Sequence, residues 1–462
     1  MMAYSNSKKI ILYFLFCHIF IWTLVPALSN SNLPRDTIEA LAWGSNLDWG
    51  FEKHPPFSAF AVEVFYQIFG KQDWVYYLLS QIFVTSSFFI VWIFANDLFK
   101  NPLYSLISVL ILEGIYFYNY TTPEFNVNIS QLPFWALTVL FAWKGIKNDK
   151  KSDWFLFGIF AGIGVLSKYL FIYLLSAIGI FLFYSIIEKK IKYRFLLSLI
   201  SFFLILSPHL IWLLNNEFIT VTYGLHRSTG DFYSGGSIIL NHIKYPFVFL
   251  IKQIGILIPF IILLSIIVSK FKKKLSFKDE NLKFLLWINV APIILIFLTS
   301  LFFGINIRTM WMTPFYLFFG VLFVYIFKDK INLAKLKYFF ISVIFFFTLS
   351  PTIYFINSTV KINQRIDYPA KEIAEIVQNK WNENFSSQIK IVVGQSWWAG
   401  NLSYHLQSRP KFIRGYLDHT ERKVIDQDGI IYIEDESSKL TKTCPGVFFI
   451  VYSRYICLVG IK

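Results

Sequence analysis

The residues best suited to chemistry lie within residues 33–60, a polar, acidic and Trp-rich segment between two strongly apolar ones. If this segment is helical from Asp36 onward, Asp36, Glu39 and Trp43 share one face, since spacings of three, four and seven residues return to the same side. Two carboxylates and an aromatic ring would then face the same ligand. An acidic first turn also stabilises a helix by itself, so simple capping stays open as the alternative interpretation.

The composition indicates that these residues belong to a membrane protein. Hydrophobic residues make up 56% of the 462 and charged residues 15%, far from the balance of a soluble chain. The net charge of +15 does not indicate nucleic acid, because the basic residues form short clusters between apolar runs, as in cytoplasmic loops. The sequence therefore predicts an α-helical polytopic membrane protein surrounded by lipid, with no nucleic-acid partner.

Eleven apolar segments are long enough, or nearly so, to cross a membrane. They lie at about residues 10–28, 75–94, 103–118, 129–146, 154–166, 169–187, 195–214, 247–268, 284–303, 310–327 and 338–356. We interpret the short pair on either side of Lys168 as a hairpin, because only then do the basic clusters stay on one side. This topology places residues 33–60 outside the cytoplasm, and it leaves open whether the first helix is cleaved as a signal peptide.

The last hundred residues differ in character from the rest. A helical pattern at 368–381 precedes three strand-like runs, which predicts a small extracytoplasmic α/β domain over 357–462. The transmembrane domain then covers 1–356, with amphipathic helices in the first outer loop, residues 29–74. Cys444 and Cys457 lie in the tail and could form a disulfide or stay free. With Cys17 as the only other cysteine, no cysteine cluster is spaced for zinc or iron–sulfur.

A second polar group lies at residues 121–131. Thr122 followed by Pro123 has the pattern of a helix start, with Glu124 and Asn128 on one face and Asn126 nearby. The positive end of such a helix would attract a phosphate. Ordinary capping explains the first residues of this segment equally well.

Three further residues could meet a lipid phosphate. Lys168 is a cation between apolar residues, Arg308 lies in a short outer loop, and His209 lies within an apolar segment. Charges at such positions are costly and are usually functional. The alternatives are snorkelling to the headgroups for the two cations and simple core packing for the histidine.

Together these segments resemble the bacterial glycosyltransferase family 39, proteins of GT-C type that include lipid A aminoarabinose transferases and relatives of protein O-mannosyltransferases. The resemblance is carried by the acidic first loop with HPP at 54–56, FNVN at 125–128, LSKY at 166–169, SPHLIWLLNNEF at 207–218 and RTMWMTPFY at 308–316. It covers most of the membrane part. The family usually opens its loop with Asp-Glu, whereas Thr37 follows Asp36 here, so Asp36 is the better match for the catalytic carboxylate and Glu39 a helper.

The resemblance implies transfer of a sugar from a polyprenyl-phosphate donor to a hydroxyl of a glycolipid such as lipid A, another glycan or a protein. The chemistry of such a transfer indicates Asp36 as the base, and Lys168, Arg308 and His209 as phosphate partners. The sugar and the acceptor would meet Trp43, Trp49, His54, Glu124, Asn126 and Asn128. We expect a monomer in the inner membrane of a bacterium, with the site and the tail facing outward. No protein metal site is predicted, although a divalent cation could assist.

A transporter or lipid-linked sugar flippase is the alternative from another class, because many spans with buried charges suit one. Two features favour the enzyme. The charges cluster near the outer surface, and no inverted repeat is visible. The sequence contains no Gly-rich phosphate loop, which argues against an ATP- or NAD-driven machine.

Overall fold

Long apolar helices form most of the chain up to Val360. This computed structural model describes residues 2–229, 238–272, 275–415, 429–434, 440 and 444–462. The helices of this part are α1 (Met2–Ser29), α2 (Arg35–Gly44), α3 (Phe57–Phe69), α4 (Asp73–Phe99), α5 (Pro102–Leu110), α6 (Val127–Ser130), α7 (Leu132–Asn148), α8 (Lys151–Ser167), α9 (Ile172–Ile187), α10 (Leu196–Asn215), α11 (Ile219–Thr229), α12 (Ile238–Ile267), α13 (Glu280–Phe303), α14 (Phe319–Phe327) and α15 (Leu336–Val360). Short 3₁₀ turns lie at Ile111–Gly114, Tyr116–Tyr118, Tyr169–Phe171, Tyr193–Phe195, Thr309–Tyr316, Lys328–Lys330, Leu333–Lys335 and Arg365–Asp367.

Seven helices among the described residues are long and apolar enough to cross a membrane. An eighth span is possible where Thr309–Tyr316 and Phe319–Lys330 follow one another with a bend of 51°. The remaining three of the eleven predicted segments coincide with α5, α7 and α8, which have at most 17 residues each. The chain is thus a multi-pass helical membrane protein, and these three helices are shorter than a full crossing of about 20 residues.

The hairpin predicted around Lys168 is present. Helix α8 ends at Ser167, Lys168 is extended, and a 3₁₀ turn leads into α9. Helix α8 also packs tightly on α10, where a Cβ added to Gly158 would lie 2.0 Å from the carbonyl oxygen of Ser198. This close approach keeps the apex of the hairpin beside the start of α11.

The C-terminal part contains two further helices and one mixed sheet. Its elements are α16 (Ala370–Asn384), β1 (Ile391–Gly394), α17 (Ser396–His405), β2 (Lys411–Arg414), β3 (Ile430–Glu434), β4 (Val447–Val451) and β5 (Arg454–Val459). The strand order is β2-β1-β3-β5-β4, with β1 parallel to β2 and β3, and β5 antiparallel to β3 and β4. The predicted small α/β domain is confirmed, and a disulfide joins Cys444 to Cys457. Helix α17 and strand β2 were not predicted.

Helix α17 fastens this sheet domain to the first loop. A Cβ added to Gly400 would lie 3.0 Å from Cβ of Ala42, so α17 and α2 pack with almost no space between them. The guanidinium of Arg409 donates to the carbonyl oxygen of Leu41 at 2.6 Å and lies 3.1 Å from a carboxylate oxygen of Glu63. The sheet domain therefore helps to determine where α2 lies.

Candidate active site

Helix α2 begins beside the segment that was predicted as the second polar group. The backbone N–H of Asp36 donates to Oε1 of Glu124 at 2.9 Å, and the Thr37 hydroxyl donates to the carbonyl oxygen of Phe125 at 3.1 Å. Because the first N–H groups of a helix lack partners within it, a carboxylate at this position stabilises the helix start. The two segments are thereby joined into one site.

Asp36 has the features of a base. Among the described residues, its carboxylate has no hydrogen bond or ion pair, so both oxygens lack a protein partner there. Burial raises the pKa of Asp36, and the neighbouring charge of Glu39 raises it further, although Arg35, Lys53 and Lys168 oppose the shift. A raised pKa makes the ionised carboxylate a stronger proton acceptor.

Glu39 is engaged within the protein. Its Oε1 accepts from Nζ of Lys53 at 2.6 Å and from the hydroxyl of Ser396 at 2.7 Å, and Nε of Arg35 lies 3.4 Å away. Burial would raise the pKa of Glu39, but Lys53 and Ser396 hold it below its ordinary value. Glu39 therefore stays ionised and serves as a counter-ion.

The prediction that a helix starts at Thr122 and Pro123 is wrong. The helix α6 begins at Val127, and the side chain of Asn126 caps it by accepting from the N–H of Asn128 at 2.8 Å. The Thr122 hydroxyl instead donates to the carbonyl oxygen of Asn119 within a turn. The prediction failed because the side chain of Asn126, four residues after Thr122, takes the N-cap position of the helix.

Glu124 lies between these turns and α2. Its burial, and then the charge of Asp36, raise the pKa of the Glu124 carboxyl to about 8. Two neighbouring carboxyl groups rarely ionise together. The pair formed by Asp36 and Glu124 therefore favours a single negative charge.

Lys168 reaches the same site from the hairpin apex. Its side chain is buried, its Nζ donates to Oδ1 of Asn128, and it lies 5.4 Å from the ring centre of Trp311. Burial lowers the pKa of Lys168 to about 7, while the charge of Asp36 opposes that shift. An anionic ligand beside this amine would favour its charged form.

His54 is part of the wall rather than a cation. Burial lowers the pKa of its imidazole to about 3, and the charge of Lys168 contributes. Its ring meets Trp43 edge-on at 5.9 Å, and Trp43 in turn stacks on Phe51. His54 is therefore neutral near pH 7 and can offer a hydrogen bond but no charge.

Two cavities lie among the neighbours of Asp36, which itself lines neither of them. The Arg35 cavity, about 440 Å³, has a polar wall that includes Arg35, Glu124, Asn126, Asn128 and Arg365. The Lys168 cavity, about 340 Å³, is lined by cations and apolar groups that include Lys53, His54, Lys168, Arg227 and Trp311. The hydrogen bond from Lys168 to Asn128 joins the two walls. Such a pair of cavities can hold two substrates with their reacting atoms near one carboxylate.

Besides Asp36, Glu39 and Trp43, three further predicted residues line neither cavity. Nδ1 of His209 lies 2.6 Å from the carbonyl oxygen of Trp49, and its Nε2 lies 2.7 Å from the hydroxyl of Tyr169. Since a carbonyl only accepts, Nδ1 carries the hydrogen and Nε2 accepts, so both ring nitrogens are used. The Trp49 ring is 43% exposed and packs on Phe60, while Arg308 is exposed and lines neither cavity.

Sequence reasoning missed Arg35 and Arg365 of the Arg35 cavity and four residues around Lys168 and Glu39. Lys53 and Arg227 add cations to the Lys168 cavity, Trp311 covers the amine of Lys168, and Ser396 holds Glu39 from the sheet domain. Lys53 directly precedes the HPP segment, and this position could have identified it from the sequence. Ser396 had no such signal, because it lies 357 positions away from Glu39.

No metal centre is defined by protein ligands within the described ranges. Groups of three or more His, Cys, Asp or Glu side chains that could hold an ion do not occur there. A divalent cation held partly by substrate stays a prediction.

The helical fold and the site beside the sheet domain define the class of protein to which this chain belongs. It is a multi-pass helical membrane protein with a small C-terminal α/β domain. Residues 53–212 match the family described as dolichyl-phosphate-mannose-protein mannosyltransferase. That match contains Lys53, His54, Glu124 and Lys168 but begins after Asp36, so the position of Asp36 rests on the geometry.

Among solved structures, the chain is similar in fold to ArnT from Cupriavidus metallidurans. Its apo crystal structure superposes with a TM-score of 0.62 at 12% identity, over 98% of both chains. The crystal structure of the same protein bound to undecaprenyl phosphate gives a TM-score of 0.59 at 12% identity, over 97% of this chain and 98% of that one. The curated proteins include no match.

Proposed function

We propose that this protein is a membrane glycosyltransferase that moves a sugar from a polyprenyl-phosphate donor to a hydroxyl of an acceptor. The observation that carries the proposal is the junction of two cavities at the hydrogen bond from Lys168 to Asn128, one cavity being cationic and apolar and the other polar. The charge of Lys168 also acts on Asp36. A lipid phosphate suits the first and an acceptor with hydroxyl groups suits the second. The family matched by residues 53–212 and the ArnT fold support this assignment.

The Lys168 cavity offers the chemistry that a lipid phosphate needs. Lys53, Lys168 and Arg227 provide positive charge, while Tyr173, Ile307 and further apolar residues of its wall accept hydrocarbon. Cations at the leaving phosphate stabilise the charge that develops as the bond to the sugar breaks. The neutral His54 can donate one more hydrogen bond.

Asp36 then acts on the acceptor. The acceptor oxygen attacks the anomeric carbon, the bond from that carbon to the phosphate oxygen breaks, and the hydroxyl proton passes to the Asp36 carboxylate. The phosphate leaves on its lipid with both bonding electrons. Attack from the side opposite the phosphate inverts the anomeric carbon, which fits two separate cavities joined at the pair of Lys168 and Asn128.

We also propose that the site faces the outside of a bacterial inner membrane. At one end of α4, Asp73 contacts Tyr404 and Lys371 of the sheet domain. At the other end, Lys100 and Lys147 pair with Asp97. Basic clusters mark the cytoplasmic side, so the site and the sheet domain would lie on the opposite face.

The test is Asp36→Asn in the full-length purified protein. The substrates are undecaprenyl-phosphate-linked sugars and an acceptor fraction, both extracted from membranes, and the signal is release of undecaprenyl phosphate. We expect release to fall roughly 10²–10⁴-fold, since that is the usual contribution of a general base. Asp48→Asn is the matched control, because Asp48 is an exposed carboxylate of the same loop whose partner is the N–H of Trp49.

Undiminished release by Asp36→Asn would refute the assignment. So would movement of the intact lipid-linked sugar across vesicle membranes without any cleavage by the wild-type protein, which would identify a flippase instead.

A further inference from the structure

Ser396 of the sheet domain contacts two charged residues of the first loop. Ser396 is the first residue of α17, only 7% exposed, and its hydroxyl donates to Oε1 of Glu39 at 2.7 Å. The same hydroxyl oxygen accepts from Nζ of Lys53 at 3.4 Å, and Lys53 also donates to Oε1 of Glu39 at 2.6 Å. The three side chains therefore close a ring of hydrogen bonds.

This ring of hydrogen bonds determines the orientation of the Lys53 ammonium group. An ammonium has three N–H donors, and the ring uses two of them. Within the described residues the third has no protein partner, and Lys53 lines the Lys168 cavity. A lysine whose long side chain is already fixed loses less conformational entropy when it binds an anion.

The ring is anchored from both sides. On the sheet domain, α17 is held to the first loop by Asn401, which accepts from Asn32 at 3.0 Å, and by the contact of Gly400 with Ala42. On the loop, Arg35 lies 3.4 Å from the same oxygen of Glu39. The position of Ser396 is therefore rigid relative to the loop.

We propose that Ser396 is a positioning residue for the lipid phosphate: through Glu39 it fixes Lys53 with one N–H directed to the ligand, which makes the sheet domain part of the donor site. This rests on the proposed function, because it assumes that the Lys168 cavity takes the polyprenyl phosphate. Glu39 acts in it as a positioning residue also.

The experiment measures binding of undecaprenyl phosphate to the full-length protein in detergent, with undecaprenol as the ligand that lacks the phosphate. We expect Ser396→Ala to weaken binding of undecaprenyl phosphate about three- to tenfold, the range for releasing one flexible side chain. Undecaprenol binding should not change. Ser396→Thr restores the hydroxyl and should restore the affinity to within about twofold of wild type.

The matched control is Ser408→Ala, since Ser408 also lies in the sheet domain and donates to a backbone oxygen, that of Ile389, at 2.7 Å. It should leave binding unchanged while altering thermal stability as much as Ser396→Ala does. Lys53→Ala reports whether Lys53 contacts the phosphate at all.

The outcomes separate the two proposals. If the wild-type protein binds undecaprenyl phosphate no better than undecaprenol, the proposed function fails. If Lys53→Ala weakens binding of the phosphate but Ser396→Ala does not, the proposed function stands and the role of Ser396 is refuted. An equal loss with Ser408→Ala would likewise refute it, because the effect would then reflect general destabilisation.

Discussion

Replacing Lys168 tests whether the buried amine at the hairpin apex binds the donor phosphate. In Lys168→Met a side chain of similar length keeps the packing against Trp311 but removes the charge. A hydrogen bond to a charged group contributes about 1.5–3 kcal/mol, so the dissociation constant for undecaprenyl phosphate should rise roughly 10- to 150-fold. The buried position favours the upper part of this range, because water screens the interaction little.

The pH dependence provides a sharper measurement. The pKa of Lys168 is lowered from 10.5 to about 7, so the amine is charged below that pH and loses its proton as the pH rises through it. At one pH unit below the pKa roughly nine tenths of the molecules are charged, and at one unit above it roughly one tenth. Between pH 6 and 8 the affinity for the phosphate should therefore fall about tenfold through Lys168 alone.

Lys168→Arg isolates this contribution, because a guanidinium stays charged throughout the range. The phosphate and Glu124 also titrate, but they do so in both proteins, and their effects cancel in the ratio of the two dissociation constants. Isothermal titration of undecaprenyl phosphate from pH 5.5 to 9 gives this ratio directly. A ratio that does not change with pH, or an unchanged affinity in Lys168→Met, would refute the reasoning.

Two further predictions concern the sheet domain and its attachment. Arg409→Leu leaves Glu63 buried without its charged partner and should lower the free energy of unfolding by about 3 kcal/mol in thermal unfolding. Arg414→Leu breaks the more exposed pair with Glu52 and should lower it by less than about 1 kcal/mol, so similar losses in the two variants would contradict the buried interface. Removing the disulfide by Cys444→Ser should destabilise the sheet domain by about 3 kcal/mol and make its limited proteolysis faster. The control Cys17→Ser replaces a free cysteine and should change neither quantity. Equal proteolysis rates for the two variants would show that the disulfide contributes nothing to stability.

Local patterns in the sequence were enough for the membrane class and for much of the fold. Apolar runs located the helices, and the distribution of basic residues indicated the hairpin at Lys168, which the structure confirms. Strand-like alternation identified the tail as an α/β domain. These features depend on neighbours close in the chain, and side-chain periodicity records such neighbours directly.

The composition of the site depended on packing between distant segments. Asp36 was singled out from its own segment, but Glu124, which caps its helix, lies 88 positions away. Lys53 and Ser396 both bind the carboxylate of Glu39. The carboxylate of Asp36 is left without a protein partner among the described residues. The sequence identified candidate groups, and only the packing of the sheet domain against α2 distinguished the paired carboxylate of Glu39 from the unpaired one of Asp36, because burial and partners determine the proton affinity of a carboxylate.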